Sequence, residues 1–517
     1  MPTTTMDHHH FPGETRSFME KLLDGVERVG NKVPHPVVIF VLLIGLIILL
    51  SHIFYLMGST VTYEGINPDT HQPEQITAKA QSLLTGEGIR FMYANVVQNF
   101  MNFTAVGVII VAMLGVGVAE EAGLISALIR KLVVVAPAKA LTYIIVFIGI
   151  LSSVAADAGY LVLIPLAAAA FLSVGRNPLA GLAASFAAVA SVFSVNILIK
   201  PLDGILVGIT NDAIHLINPN RSIGLLANLW FSVVSVFLLT FVVGFVTNRI
   251  VEPRLGPYKG EEVAHEAHTS SEESRGLKYA RWALLALLVF FALLTLPPGA
   301  PLRNAETGSI VENSPFMNGL IVFIALLFLV MGWAYGYGAG TMKNAAAVIK
   351  AMEKAIAGLA GLLLLLFVIS QFTAFFTYTN LATLAAVNVG DVLEHWGLPA
   401  LPLLLGFVVV VIVLDFIMTG AIPKWAIFAP IFVPLLMRLN VQPEATLAAY
   451  RMADSPVNSI TPLNAYFGLI VGFAMRYQKD AGIGTVVALM LPYVFLVTIA
   501  WTILLIVWQL LGLPWGL

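Results

Sequence analysis

Cysteine is absent from the chain, which excludes disulfides, thiolate metal centres and cysteine nucleophiles. Charge is scarce too. Only 11% of the 517 residues are Asp, Glu, Lys or Arg, against roughly 25% in soluble domains. Neither sign is in excess, and a net charge of −2 gives no reason to expect a nucleic-acid partner. The polar opening, MPTTTMDHHHFPGETRSFMEKLLDGVERVG, lacks the early apolar core of a cleaved signal peptide, so the first apolar run is expected to stay as a span. Also missing are a GxGD-type aspartyl pattern, an HExxH metal motif and a GxSxG nucleophile context, which argues against an intramembrane enzyme. What the chain does have is apolar sequence: 59% hydrophobic residues and a mean hydropathy of +0.90. It comes in repeated runs of roughly 18 residues or more, the pattern of an all-α polytopic membrane protein.

In chain order, residues 18–32 show amphipathic spacing (Phe18, Leu22, Leu23, Val26, Val29) and read as a helix on the inner surface. His8 to His10 lack metal-ligand spacing and read as a polar tail. A span over 36–57 precedes a polar loop, 59–88, with no core of its own. A half-polar segment over 91–103, an apolar run over 106–118 and a helix over 124–135 follow. The span at 142–154 runs into SSVAADAGYLVLIPL, a broken segment with Asp157, Gly159 and Pro165. Residues 182–199 are rich in small side chains and suit close helix packing; they end in SVNILIKPLDG, and 225–246 is a clean span. Further spans are expected at 282–296, 316–331, 357–376, 401–414, 466–475 and 486–511, with an amphipathic connection at 343–354.

This divides the chain into an N-terminal segment 1–33, a first membrane half 34–248, a polar linker 249–276 and a second half 277–517. Lys and Arg gather in and just after the linker and at Lys343, Lys350 and Lys354, while 59–88 and 298–315 are poor in them. The positive-inside rule then places the N-terminus and linker in the cytoplasm. About nine full spans would leave the C-terminus outside.

One stretch, residues 415–466, is anomalous. It holds Asp415, Lys424, Arg451 and Asp454, and is broken by Gly420, Pro423, Pro430, Pro434, Pro443, Pro456 and Pro462. Backbone breaks and charges at membrane depth are tolerated where they find protein, water or a ligand, and they mark function. The first half repeats the pattern. Pro165 and Pro430 are 265 residues apart, as are Pro178 and Pro443, and at that spacing LAA at 182–184 meets LAA at 447–449. With a small gap, KPLDG at 200–204 meets TPLNA at 461–465. Interrupted segments at corresponding places in two halves point to a transporter's substrate site near the bilayer midplane.

The runs AEEAGLISALIR (119–130), AGYLVLIPLAA (158–168), GRNPLAGLAA (175–184), KWAIFAPIFVPLL (424–436), YRMADSPVNSITPLNAYFGLI (450–470) and KDAGIGTVVALMLPY (479–493) closely resemble the AbgT family of bacterial p-aminobenzoyl-glutamate transporters. The resemblance covers nearly the whole chain. It implies a homodimer in the inner membrane, each subunit with nine spans, two re-entrant helical hairpins in inverted repeats, and a bowl open to the cytoplasm. It also implies ion-driven secondary transport without a cofactor. Some members resemble importers of p-aminobenzoyl-glutamate, others exporters of sulfonamide antimetabolites.

Family functional positions fall on Asp203, Trp425, Pro443, Arg451, Asp454 and Pro462. There are two departures. The family's GSxSAxW pattern is TGAIPKW here, so Ile422 replaces a serine that would contact substrate. Asp415 stands where the family mostly has an asparagine associated with sodium. Its extra charge favours either tighter Na+ binding or coupling to H+.

Asp415 and Asp454 are the candidate ion ligands, with carbonyls near Val411 and Ala449; the bland alternative is that each only pairs with Lys424 or Arg451. Arg451 suits a substrate carboxylate, since its fork pairs in bidentate fashion, or else pairs with Asp454 three residues on. Trp425 suits stacking on an aromatic substrate, or packs at a hairpin tip. Asn196, Asp203, Asn458 and Asn464 offer polar groups at the two breaks, or cap helices. Asp157 and Lys424 are weaker candidates. A transporter of di- or tricarboxylates on the same plan is the alternative function.

Overall fold

The computed structural model describes residues 34, 36–66, 73–134, 137–154, 159–258, 260, 270–310, 314–395, 399–416, 420–461 and 464–517. The expectations for 18–32, His8 to His10, Asp157 and Pro462 lie outside these.

The chain starts with a long apolar helix, α1 (Pro36–Leu56). A β-hairpin follows, β1 (Thr60–Ile66) and β2 (Pro73–Lys79), antiparallel with Thr60 opposite Lys79 and Ile66 opposite Pro73. This corrects the expected coreless loop. The strands are rich in Thr, Val, Tyr and Ile, which suit a pleated surface, and Val61 and Ala80 pack with Leu384 and Val387 as a small core of their own. Two short helices, α2 (Gly86–Ala94) and α3 (Val96–Met101), then lead to α4 (Thr104–Ala122) and α5 (Leu124–Val134).

The first hairpin consists of α6 (Leu141–Leu151) and α7 (Ile164–Ser173), the latter preceded by a π-helical turn, Gly159–Leu163. Next, α8 (Pro178–Phe186) runs through a π turn, Ala187–Ser191, and stops. Residues 192–200 are irregular, and α9 (Pro201–Ile214) resumes the crossing. The small-residue helix expected over 182–199, ending in a polar break, is thus a half-helix that stops at Ser191 and an irregular stretch up to Lys200. The full crossings α10 (Leu229–Val246), α11 (Ser271–Thr295) and α12 (Leu320–Ala339) follow. The start of α11 lies eleven residues before the expected 282, because Ser270 and Glu273 form a capping box that stabilises it. After α13 (Ala345–Gly358) and α14 (Ala360–Tyr378), Asn380 at φ 57° turns the chain into α15 (Leu381–His395), a helix not expected from the sequence. The second hairpin is α16 (Ala400–Asp415) and α17 (Ala421–Arg438). Then come α18 (Pro443–Asp454), a 3₁₀ turn at Pro456–Ser459, α19 (Phe467–Met475) and the last crossing, α20 (Ile483–Leu510).

The fold is that of an all-helical polytopic membrane protein. Among the described residues, eight helices are long and apolar enough to cross a bilayer, α17 among them, and four apolar stretches, 141–154, 159–173, 178–191 and 400–415, are shorter. At 1.5 Å per residue these reach roughly 21–24 Å, short of the ~30 Å hydrocarbon core, so they are half-elements that turn back or break. Between the two hairpins the chain crosses by α8 with α9, then α10, α11, α12 and α14. That odd number makes the hairpins enter from opposite faces. The repeat holds in backbone detail: Gly175 (φ 74°) and Asn440 (φ 59°), 265 residues apart, both take the left-handed conformation where one half-helix ends and the next begins.

Small residues bring α4 and α12 together. A Cβ on Gly115 would lie 1.9 Å from Ala325 O, and one on Gly332 2.6 Å from Ala119 Cα. Close backbone approach of this kind is how helices associate in lipid. Gly115→Ala is expected to destabilise the detergent-solubilised protein by about 1–3 kcal/mol, the usual penalty of overpacking. Gly107→Ala, on the same helix with nothing within 4 Å of the new methyl, is expected to leave the melting temperature in place.

Candidate functional site

The two breaks meet. Ser191 Oγ donates to Ser459 Oγ at 2.7 Å in a buried contact across the halves. Asn196 ties the first break down: Nδ2 donates to Ile150 O (3.2 Å), Leu151 O (3.1 Å) and Ser153 Oγ (3.0 Å), and Oδ1 accepts from Leu198 N–H. Asn458 does similar work in the second, with Nδ2 donating to Asp454 O (2.6 Å). Asn464 Nδ2 donates to Asn458 O (2.8 Å), and its Oδ1 accepts from Tyr466 N–H (3.0 Å). The amides therefore supply the hydrogen bonds that broken helix ends lack. Pro443 is buried at the first turn of α18, where its missing N–H is no loss.

Two buried charge clusters flank this meeting point. In the first, Arg451 Nη1 donates to Asp203 Oδ1 and to Ser194 O (3.2 Å). Asp203 Oδ2 meanwhile accepts from Lys200 N–H at 2.8 Å, capping α9. Lys200 is itself buried, its ammonium donating to Phe193 O and lying 3.4 Å from Ser153 Oγ. In the second, Lys424 Nζ lies between Asp415 Oδ1 and Asp454 Oδ1, all three side chains at most 1% exposed. The other oxygen of each carboxylate is buried with no hydrogen-bond partner. Tyr450, whose hydroxyl donates to Ala421 O, closes over this cluster with its oxygen 3.3 Å from Asp454 Oδ1.

Three expectations change. Arg451 does not pair with Asp454: the i, i+3 relation would allow it, but Asp203 from the other half lies closer to the guanidinium and Lys424 takes Asp454. Lys424, the weaker candidate, is the centre of the second cluster. Trp425 is wholly buried, its Nε1–H donating to Thr210 Oγ1 (3.0 Å) and Leu206 O (3.2 Å) and its ring stacked on Tyr450 at 4.5 Å. In this conformation it locks α17 to α9 and presents no face to a solute. Ile422 is half-buried in the first turn of α17. Lys200, Thr210 and Tyr450 were not singled out from sequence. A lysine just before the PL break was the one signal that pointed to any of them.

Counted at ordinary ionisation, the first cluster carries two cations and one anion, the second two anions and one cation. An anion would balance the first and a monovalent cation the second. The cavity at Arg451, walled by Asn196, Asp203, Asn228 and Ser232, is about 20 Å³, room for one water. An organic anion needs this cavity to widen.

The chain matches the model of the AbgT putative transporter family over residues 21–517. It is 34% identical to the p-aminobenzoyl-glutamate transport protein of Escherichia coli K12 over 497 residues, 96% of each chain. The chain belongs to the AbgT family of transporters. Solved structures agree: the YdaH transporter of Alcanivorax borkumensis superposes with a TM-score of 0.88 at 42% identity, covering 94% of this chain and 100% of that one. MtrF of Neisseria gonorrhoeae, from a class of antimetabolite efflux pumps, also gives 0.88, at 38% identity and 94% and 97% coverage. The AbgT protein described here is thus a multi-pass membrane transporter and not an enzyme.

Removing Lys424 leaves two buried carboxylates without a counter-charge. Lys424→Ala is expected to cost about 3–5 kcal/mol of stability, as when one partner of a buried pair is deleted. Adding Asp415→Asn to that variant is expected to recover part of the loss. Melting temperatures of the two variants in one detergent check both statements.

Proposed function

We propose that the protein is a cation-coupled secondary transporter of p-aminobenzoyl-glutamate or related aromatic carboxylates of folate breakdown, with sulfonamide antimetabolites as further cargo. The observation that carries this is α18, which holds Arg451 against the cation-rich cluster and Asp454, one turn on, in the anion-rich one. A substrate carboxylate suits Arg451 and Lys200, and the planar guanidinium favours a two-oxygen partner. One Na+ or H+ suits the unpartnered oxygens of Asp415 and Asp454; hard oxygen donors serve sodium and either carboxyl can hold a proton. Asp415 in place of the family's usual asparagine supplies the charge that leaves this cluster one cation short, and we assign the choice of coupling ion to it.

The Lys- and Arg-rich segments, α5, the described ends of the linker (249–258 and 270–276) and the region of Lys343 to Lys354, fall on the face from which the first hairpin enters. This supports a cytoplasmic N-terminus in a bacterial inner membrane. The likeness to the family supports a homodimer.

Radiolabelled p-aminobenzoyl-glutamate flux in proteoliposomes, with sodium and proton gradients imposed separately, tests the reading. One gradient is expected to drive uptake, Asp454→Ala to lower it at least tenfold, and Asp415→Asn to change the ion dependence. Flux that Asp454→Ala leaves unchanged would sink the proposal, and competition by succinate or citrate in place of aromatic acids would reassign the substrate.

A further inference from the structure

The last turn of α9 carries an acid that the two clusters do not use. Asp212 Oδ2 is buried with no hydrogen-bond partner, and no cation pairs with Asp212 among the described residues. It lies nine residues beyond Asp203 on the same helix, about 14 Å along its axis. Asp212 opens onto a recess of about 240 Å³ whose wall includes Asn99, Asn102, His215, Ser370, Thr373 and Thr377. These come from the ends of α3, α9 and α14 that share the face of the β-hairpin, opposite the face where the first hairpin enters.

The chemistry of the wall is selective. Its polar groups are amide and hydroxyl oxygens, one imidazole and one carboxylate, with no Lys or Arg, set beside the apolar Phe103 and Ala374. Several groups are held by their own bonds: Asn99 Nδ2 donates to Gln371 Oε1 (2.9 Å), and Thr377 Oγ1 to Thr373 O (2.9 Å). His215, hydrogen-bonded to Ser222 Oγ at 2.9 Å, is the other titratable group in the recess. Charges on the elements packed against α9 are engaged elsewhere: Lys424 and Asp454 with each other, Arg451 with Asp203, Arg438 with Asp391 and Glu444 with Arg221. Glu120 and Glu121 lie at the far end of α4. An unpaired carboxylate among neutral oxygen donors repels carboxylates and attracts a small cation.

We propose that this recess is a second cation site, in which Asp212 takes up H+ or Na+ from the face opposite the first hairpin. Only its part in coupling rests on the transport function proposed above; the binding does not. The site has a mechanical link to the centre, because Thr210, two residues earlier, accepts the Trp425 indole N–H. A charge gained or lost at Asp212 therefore acts on the helix that carries both Asp203 and the contact to the second hairpin.

Infrared difference spectra of the purified full-length protein, wild type minus Asp212→Asn, test the proposal without any substrate. One arm titrates acid without sodium; the other adds sodium chloride at fixed alkaline pH, with choline chloride as control. A carboxyl C=O band on acidification that Asp212→Asn removes identifies the ligand as a proton. A sodium-dependent shift of a carboxylate stretch that the same substitution removes identifies it as sodium. No Asp212-dependent band in either arm overturns the site. Should Asp212→Asn fail to elute as a single folded species, Asp212→Glu, which displaces the band without deleting it, serves in its place. A band that is present while p-aminobenzoyl-glutamate flux is absent would keep the site and reject the transport reading.

Discussion

Lys424 is pinned between Asp415 and Asp454, and much else in the molecule follows from that contact. Two carboxylates and an ammonium have been taken out of water at the depth where the second hairpin turns, and none is stable there alone. The contact joins the end of α16, the start of α17 and the end of α18. It therefore fixes the hairpin tip against the half-helix that reaches across to Asp203. Tyr450 and Trp425 cover it, and the Trp425 indole in turn ties α17 to α9. The cluster, with two acids to one lysine, is thus sealed by side chains of the second half, one of which is tied to the first half through Thr210.

The two clusters are linked because α18 contributes to both. Arg451 and Asp454 share one turn of a helix buried at every residue but Glu444, and a tilt or rotation of that helix moves both ion pairs together. The coupling proposed above would need no long pathway in such an arrangement. It needs only that the positions favoured by the two ligands agree.

Much of this plan was legible in the sequence. Paired prolines at a spacing of 265 residues located both half-helices, and charges in an apolar context located Asp415, Arg451 and Asp454. Which charge meets which was not legible. Spacing along a helix suggests Arg451 with Asp454, yet a partner more than two hundred residues away, Asp203, lies closer once the halves meet. Lys424 looked secondary because a lysine beside a tryptophan at a turn is compatible with an exposed position, and only the fold shows that it is enclosed. The β-hairpin is not legible in the sequence because its strands, short and flanked by polar residues, make their small core with Leu384 and Val387, far along the chain. For Trp425 the sequence leaves stacking on a substrate ring and packing at the hairpin tip both open, and the fold shows the packed arrangement, with its indole N–H engaged inside the protein.

The opposed directions of the two hairpins have one more implication. Each half is a version of the other turned upside down, yet the two are not in the same shape: the first passes into its break through a π turn at Ala187–Ser191, the second through a 3₁₀ turn at Pro456–Ser459. One sequence plan thus occupies two conformations at once, on opposite sides of a shared centre. If each half adopted the geometry the other now has, the molecule would come to resemble itself turned by 180° about an axis in the plane of the bilayer, and whatever is accessible from one side would become accessible from the other.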